Sequence, residues 1–182
     1  MDTLSWRIMM ARPTLKKKAK YVPKDTKLKE ELGHWSYTGK DRKLSESFGF
    51  LYLMVNKNTG MAYVGKRQFW AFKRNSMTKT GAALWRLYKS SSSHVKAAIK
   101  GGDTFEYHIL GVFETRAWLS YTEAYLQMVL QTMTERDLEG ERMWYNNQVA
   151  AIRFVPKESK TEHKEMESCL SKSYKILNKA RG

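Results

Sequence analysis

The sequence predicts an α+β domain, and the order of its apolar patterns carries this prediction. Apolar β-forming residues fill 48–56, a polar turn follows, and a second apolar run covers 61–65, which together indicate a β-hairpin. A third strand is predicted over 104–114, and 118–136 then has the apolar period of a long helix. With 182 residues, the chain is long enough for one hydrophobic core and too short for two full domains.

The rest of the chain divides into an arm, connecting segments and a tail. Residues 1–47 are predicted to be a basic N-terminal arm that orders on binding, because they lack a sustained apolar period. The domain itself is predicted over 48–156, followed by a charged C-terminal helical tail over 157–182. Inside the domain, we expect one or two short helices in the basic segment 68–89 and a helix over 92–100 that ends at a glycine pair.

Side-chain alternation separates the two faces of the predicted hairpin. If the hairpin is symmetric about its turn, Tyr52 and Tyr63 lie opposite or nearly opposite each other, with Cβ atoms about 5 Å apart. Gly65 ends this tyrosine face without a side chain, so we expect a ligand to approach the backbone there. The other face holds the residues expected to build the core: Leu51, Leu53, Val55, Ala62 and Val64.

The distribution of charge predicts a polyanionic partner. The chain has 33 Lys and Arg against 18 Asp and Glu, for a net charge of +15. No acidic residue occurs between Glu46 and Asp103, although that interval holds ten lysines and arginines. Such cations repel each other unless a counter-ion such as phosphate is present, so nucleic acid is the expected partner. A membrane is not expected, because no apolar run approaches the roughly 18 residues of a spanning helix.

Several kinds of site are excluded or disfavoured by the sequence. Cys169 is the only cysteine, so no intrachain disulfide forms, and the four histidines lack the spacing of a zinc site. We expect Cys169 to have no catalytic role. No phosphate-binding glycine loop or dinucleotide fingerprint occurs, so no nucleotide cofactor is expected. The N-terminus has no clear cleavage signal, and a cytoplasmic location is the expectation.

Glu123 is the acidic residue that the helical pattern singles out. It lies on the same stripe of the predicted helix as Leu119 and Leu126. An ionised carboxylate on the core face of a helix costs several kcal/mol unless a cation or metal compensates it. A salt bridge to an arginine at the edge of the core and a bound metal ion are the two alternatives for this residue.

Short motifs in a consistent order run through most of residues 48–149. Phe50-Leu51-Tyr52 and Tyr63-Val64-Gly65 carry tyrosines eleven residues apart, Glu123 lies well beyond them, and Tyr145-Asn146 comes late. This set resembles the GIY-YIG nuclease family, although Phe50 stands where the family has glycine. Further pieces are similar to a branch of phage-encoded endonucleases: Gly65 to Phe69, Trp85 to Tyr88, Ser92-Ser93 and Phe105 to Leu110.

The resemblance implies a sheet of three antiparallel strands flanked by helices, and an endonuclease that hydrolyses DNA phosphodiesters. It also implies one Mg²⁺ or Mn²⁺ ion in each active site, held by Glu123 through oxygen ligation. Tyr52 and Tyr63 would position the attacking water. One of them would act as a base if surrounding cations lower a phenol pKa that is normally about 10.

The remaining catalytic residues are also implied by the resemblance. An arginine would clamp a phosphate oxygen, and Arg74, slightly favoured by spacing, and Arg86 are the candidates. Tyr88 is the aromatic residue expected soon after that arginine. Lys66 would touch the phosphate or perturb a tyrosine. Asn146 would orient a metal ligand or the backbone, or would be only a turn residue.

The basic residues are expected to bind DNA, most simply as a duplex, by a monomer or a homodimer. One alternative is a catalytically inactive nucleic-acid-binding protein that uses the same basic face. Another is an RNA-binding protein, which would be retained more tightly on RNA than on duplex DNA at matched salt. The residues predicted to contact DNA are Lys16, Lys17, Lys18, Arg67, Lys73, Lys79, Lys89, Lys96 and Lys100.

Overall fold

The structure is a computed structural model that describes residues 32–37, 39, 44, 46–72, 79–82, 84–152 and 155–182. These residues form two antiparallel sheets and three helices. Strands β2, β1 and β5 form a three-stranded sheet in that order, and β3 pairs with β4. The predicted α+β class, with three antiparallel strands flanked by helices, is confirmed. The elements are β1 Gly49–Asn56, β2 Ala62–Gln68, β3 Trp70–Phe72, β4 Lys79–Ala82, α1 Ser93–Lys100, β5 Phe105–Phe113, α2 Arg116–Val129 and α3 Lys160–Arg181.

The β1–β2 hairpin forms where the sequence predicts it. The amide of Asn56 donates to the Met61 carbonyl at 2.8 Å, and Gly60 has the positive φ of 72° that the turn requires. The turn sets the register, in which Tyr52 pairs with Gly65 and Tyr63 pairs with Met54. The two tyrosines are therefore neighbours on one face, offset by two residues rather than directly opposite.

The two faces of the central sheet pack against different kinds of side chain. The aliphatic face presents the predicted core residues Leu51, Leu53, Val55, Ala62 and Val64 to α2 and α3. The aromatic face presents Phe50, Tyr52 and Met54 to a second cluster that includes Trp35, Phe69, Trp85 and Val95 of α1. Phe50, at the position where the resemblance expects glycine, is fully buried among these rings.

Side chains of α3 cover part of the β5 edge of the central sheet. On the β5 edge, Glu165 of α3 accepts a hydrogen bond from the Val112 amide at 3.1 Å, and Lys172 donates to the Leu110 carbonyl at 2.7 Å. A Cβ on Gly111 would lie 2.5 Å from the sulfur of Cys169, so glycine allows α3 to approach this strand closely. Cys169 is a fully buried core residue.

Part of the predicted N-terminal arm contacts the β5 edge. Ser36 donates its amide to the Tyr107 carbonyl and accepts from the Ile109 amide, both at 2.8 Å. Trp35 is buried beneath the aromatic face, with only 3% of its surface exposed. The part of the arm that the structure describes is thus packed onto the domain. The boundary predicted after residue 47 stays a prediction.

Helix α2 is shorter than the predicted 118–136 helix, because a backbone turn ends it. Gln131 has a positive φ of 51°, and the Thr132 amide returns to the Gln127 carbonyl at 3.0 Å. This arrangement is a Schellman motif, which closes a helix by satisfying its last carbonyls. Met133, expected on the helix stripe, therefore lies beyond the helix and is 43% exposed.

The segment after β2 also differs from its prediction. Where short helices were expected over 68–89, the described residues form the antiparallel strand pair β3 and β4 and one 3₁₀ turn over Trp85–Leu87. Trp70 explains the extended path, because its indole is buried and donates to the Ser47 carbonyl at 3.0 Å. The predicted C-terminal helix is confirmed as α3. In the described ranges, no helix is both long and apolar enough to cross a membrane.

Candidate active site

A cleft of about 620 Å³ opens along the β2 edge of the central sheet. Its lining brings together residues that are far apart in the sequence. Tyr52 and Tyr63 come from the hairpin, Glu123 from α2, and Asn146 from the segment after it. Lys66 lines the same cleft. The structure thus gathers most of the residues that the resemblance assigns to catalysis around one cavity.

The two tyrosines form an aromatic pair on the floor of the cleft. Their ring centroids are 6.0 Å apart, and Tyr52 is completely buried. Among the described residues, the Tyr52 hydroxyl has no hydrogen-bond partner of normal geometry. Burial raises the pKa of both phenols, with the nearby phenol of Tyr88 adding to the effect at Tyr52. A phenol pKa lowered by surrounding cations, which is the condition for the base role, is therefore not found in the protein alone.

The rings of Tyr52 and Tyr63 require a residue without a side chain at position 65. A Cβ at this position would lie 2.6 Å from the Tyr52 hydroxyl and 2.8 Å from a ring carbon of Tyr63. These distances are shorter than any ordinary van der Waals contact. The space that the sequence predicted for a ligand is thus filled by the Tyr52 ring, which the glycine allows to pack against the β2 backbone.

Glu123 forms an ion pair with a lysine instead of the arginine considered as its alternative partner. Its carboxylate lies 2.8 Å from the Lys66 ammonium, which also donates to the Ser120 hydroxyl at 2.9 Å. Burial raises the pKa of Glu123, and the charge of Lys66 opposes that rise. Only 11% of the Glu123 side chain is exposed. A carboxylate in this position is available to a cation that enters from the cleft.

Asn146 fixes the backbone of the strand that carries Tyr63. Its amide oxygen accepts from the Val64 amide at 3.0 Å, and its amide nitrogen donates to the Val64 carbonyl at 2.9 Å. Just before it, the backbone of residues 143–145 pairs with Ala62. Of the roles considered for Asn146, these bonds match orientation of the backbone. These two bonds hold the β2 backbone at Val64, which lies between Tyr63 and Gly65.

The arginine candidates differ in their relation to the cleft. Arg74 lies outside the described residues, and Arg86 packs over the Trp85 ring at 4.9 Å without lining the cleft. Arg67 was predicted only to bind DNA. Its guanidinium lies 4.2 Å from the ring centre of Tyr88, whose ring contacts Tyr52. Because alternate residues of a strand share one face, Tyr63, Gly65 and Arg67 lie on the same side of β2. This alternation is the sequence signal that could have placed Arg67 beside the tyrosines.

The other predicted DNA contacts have mixed outcomes. Lys89, Lys96 and Lys100 are exposed to solvent. For Lys79, the structure describes only the backbone within β4. The remaining predicted contacts Lys16, Lys17, Lys18 and Lys73 lie outside the described residues.

Sequence reasoning missed one wall of the cleft. Ser91, Ser92, Ser93 and His94, at the start of α1, line it together with Gln127 of α2. Of this wall, the sequence predicted only the helix over 92–100 and the similarity of Ser92-Ser93 to the family. The absence of acidic residues from 47 to 102 is the signal that could have connected this wall to an anion.

Comparison with known proteins identifies the family. A family model described as "Putative endonuclease segE, GIY-YIG domain" matches residues 35–149, which is more than half of the chain. The match begins at the buried Trp35 and includes all the described residues that line the cleft except one, Ala150, which lies one position past its end. No significant match was found among curated proteins or among solved structures. The chain belongs to the GIY-YIG nuclease family and carries its endonuclease domain.

Proposed function

We propose that the chain is a divalent-metal-dependent endonuclease that hydrolyses phosphodiester bonds in double-stranded DNA. The observation that supports this most strongly is the presence of both tyrosines, Lys66 and Glu123 around one cleft. Hydrolysis of a phosphodiester needs a positioned water, neutralisation of the charge that develops on the phosphate, and help for the leaving oxygen. Phenols, an ammonium and a carboxylate are suitable groups for these tasks.

The residues of the cleft fit a metal held by a single protein carboxylate. Glu123 is the acidic side chain among the described lining residues, and no group of three acidic, histidine or cysteine residues in the described ranges is arranged to hold a metal ion. Mg²⁺ commonly binds through one or two carboxylates and substrate phosphates, and keeps several waters. Glu123 would hold the ion. When bound, the ion would neutralise phosphate charge and favour ionisation of a water.

The chain's own groups have separate roles in this proposal. Tyr52 and Tyr63 are neutral phenols at neutral pH, because burial raises the pKa of each. They therefore act as hydrogen-bond donors that orient a water or a phosphate oxygen. The Lys66 ammonium pairs with Glu123 in the protein alone. It would be able to contact the phosphate if Glu123 held a metal ion instead.

The alternative of an inactive nucleic-acid-binding protein is favoured by one specific observation. Among the described residues, no arginine lines the cleft, and Glu123 already has a cationic partner. A protein that kept its basic surface and lost its arginine would bind DNA without cutting it. Both functions therefore predict that the chain binds DNA, and only the endonuclease predicts that it cleaves DNA.

Cleavage of supercoiled plasmid in Mg²⁺ or Mn²⁺ tests the proposal. We expect the wild-type chain to convert the plasmid and Glu123→Gln to do so at least roughly 100-fold more slowly, because the site loses its charged oxygen ligand. Chelation of the metal should abolish wild-type cleavage. Glu139→Gln is the matched control, since Glu139 is an exposed turn residue outside the cleft, and it should cleave as the wild type does.

Two results would contradict the endonuclease proposal. If the plasmid stays intact with both metals while the protein still binds DNA in a gel-shift assay, the protein is an inactive nucleic-acid-binding protein. If Glu123→Gln cleaves at the wild-type rate, Glu123 takes no part in the reaction. Preferential retention on RNA at matched salt would instead point to an RNA substrate.

A further inference from the structure

The start of α1 faces the cleft with unused hydrogen-bond donors. Ser92 caps the helix, because its hydroxyl accepts from the Val95 amide at 3.4 Å and its carbonyl accepts from the Lys96 amide at 3.1 Å. The Ser92 amide is paired with the Ser90 hydroxyl at 3.1 Å. The helical ladder starts with the Lys96 amide, so among the described residues the amides of Ser93 and His94 have no intrahelical partner. These two N–H groups lie at the positive end of the helix dipole.

A second observation on the opposite wall points to a ligand. The Tyr52 hydroxyl is fully buried on the floor of the same cleft and has no hydrogen-bond partner of normal geometry among the described residues. Buried hydroxyls in folded proteins nearly always have a partner. The polar side chain of Ser90, just before α1, is one of its neighbours. The Tyr52 phenol and the start of α1 therefore border the same cleft.

The serine run also reaches the second tyrosine. Burial raises the pKa of Tyr63, and a hydrogen-bonding interaction with Ser91 opposes that rise. A group held at the start of α1 would therefore lie beside Tyr63.

The charge around this wall favours an anion. No acidic residue occurs from 47 to 102, so none lies on α1 or on the hairpin. Glu123 is the acidic residue among the described lining, and its charge is balanced by Lys66 at 2.8 Å. Donors that converge at a helix start without a competing carboxylate form a suitable site for a phosphate.

We propose that the start of α1 holds a phosphodiester group of the bound nucleic-acid strand, adjacent to the one that is cleaved. The Ser93 and His94 amides and the hydroxyls of Ser91 and Ser93 are its donors. This inference rests on the proposed nucleic-acid substrate and assigns α1 a role in holding the strand in register with the tyrosines.

Binding of duplex DNA by Ser93→Asp tests the site, measured in a Glu123→Gln background so that no cleavage occurs. An acidic residue at the first helical position favours the helix but repels a phosphate. We expect affinity to fall about tenfold or more with no loss of thermal stability. The matched control is Ser171→Asp on the exposed face of α3, which makes the same change in net charge. It should lower affinity by less than about threefold, because distant charges are screened.

A second pair of variants distinguishes the contribution of the Ser93 amide to DNA binding from that of the Ser93 hydroxyl. Ser93→Pro removes the N–H at a position where helices accept proline, and Ser92 before it is already extended at φ −64° and ψ 128°. We expect Ser93→Pro to bind DNA about threefold to tenfold more weakly than Ser93→Ala, which keeps the amide. Equal affinities for this pair would overturn the inference, as would equal affinities for Ser93→Asp and Ser171→Asp.

Failure of this inference and failure of the proposed function give different results. If Ser93→Asp binds as Ser171→Asp does while Glu123→Gln abolishes plasmid cleavage, the phosphate site is wrong and the nuclease stands. If the wild type does not cleave but Ser93→Asp still weakens binding, the nuclease is wrong and the phosphate site stands.

Discussion

The two faces of the central sheet share the same strands but differ in how completely their polar atoms are satisfied. The aliphatic face packs carbon against carbon under α2 and α3. The aromatic face encloses polar atoms among its rings. Of the five buried side-chain polar atoms without a partner among the described residues, three lie there, on Tyr52, Arg67 and Trp85.

This difference separates the source of stability from the source of function. A side chain on the aliphatic face contributes through burial and close packing, so its loss should lower stability without changing the chemistry. An unpartnered hydroxyl such as that of Tyr52 costs stability, and folds retain such groups mostly at functional sites. Matched substitutions on the two faces should therefore have opposite effects on stability and activity.

The largest effect on stability is expected on the aliphatic face. Leu53→Ala removes a fully buried side chain and should lower the free energy of unfolding by about 2 to 5 kcal/mol. Urea denaturation measures this change, and plasmid cleavage should stay within about threefold of wild type per folded molecule. A loss below about 1 kcal/mol, or a large fall in activity per folded molecule, would remove the distinction between the faces.

Tyr52→Phe is the corresponding change on the aromatic face. It removes an unpartnered buried hydroxyl and keeps the ring, so the free energy of unfolding should rise by about 1 kcal/mol. Cleavage should fall roughly 100-fold, because a donor beside the reacting phosphate is lost. A variant that is clearly less stable than wild type in the same urea titration would mean that the hydroxyl has a partner in the folded protein.

The smallest expected effect is the pH dependence contributed by Glu123. Its pKa is raised by burial, so the fold favours the protonated form. That stabilisation is fully present below the ordinary pKa of 4.5 and is lost as pH rises through the raised value. Gln at this position does not titrate, so the free energy of unfolding of Glu123→Gln should exceed that of the wild type near pH 8.

Comparing the two proteins by thermal unfolding across pH cancels the contributions of all other groups. The advantage of Glu123→Gln should shrink steadily as the pH falls toward the ordinary pKa of a carboxyl. An advantage that grows on acidification would mean that the Lys66 ion pair outweighs burial and that the pKa of Glu123 is lowered.

Local patterns predicted the elements of this fold well because they act over few residues. The hairpin, β5 and α1 follow from alternation, turn residues and a helix cap that are all visible in the sequence. The residue that pairs with Tyr52 depends on the number of residues in the turn. With the turn as it forms, that residue is Gly65 rather than Tyr63. The end of α2 depends on the left-handed backbone of Gln131, a conformation that the residue type does not signal.

The candidate site was predictable where a local pattern or a motif pointed to its residues. The hairpin pattern paired Tyr52 with Tyr63, the helical pattern singled out Glu123, and the resemblance gave all three a role; they line one cleft. The pairing of Glu123 with Lys66 needs the contact between β2 and α2, which no local pattern encodes. Likewise, the sequence did not reveal that α1 starts at the cleft, because helix packing on the aromatic face decides where that terminus lies.

The close approach of Cys169 to Gly111 gives the molecule a built-in reporter. The chain has a single thiol, and it is fully enclosed between α3 and β5. A buried thiol is inert to modifying reagents until its surroundings open. The rate at which a colorimetric thiol reagent labels the native protein therefore measures how often α3 detaches from the sheet, without any added fluorophore or engineered residue.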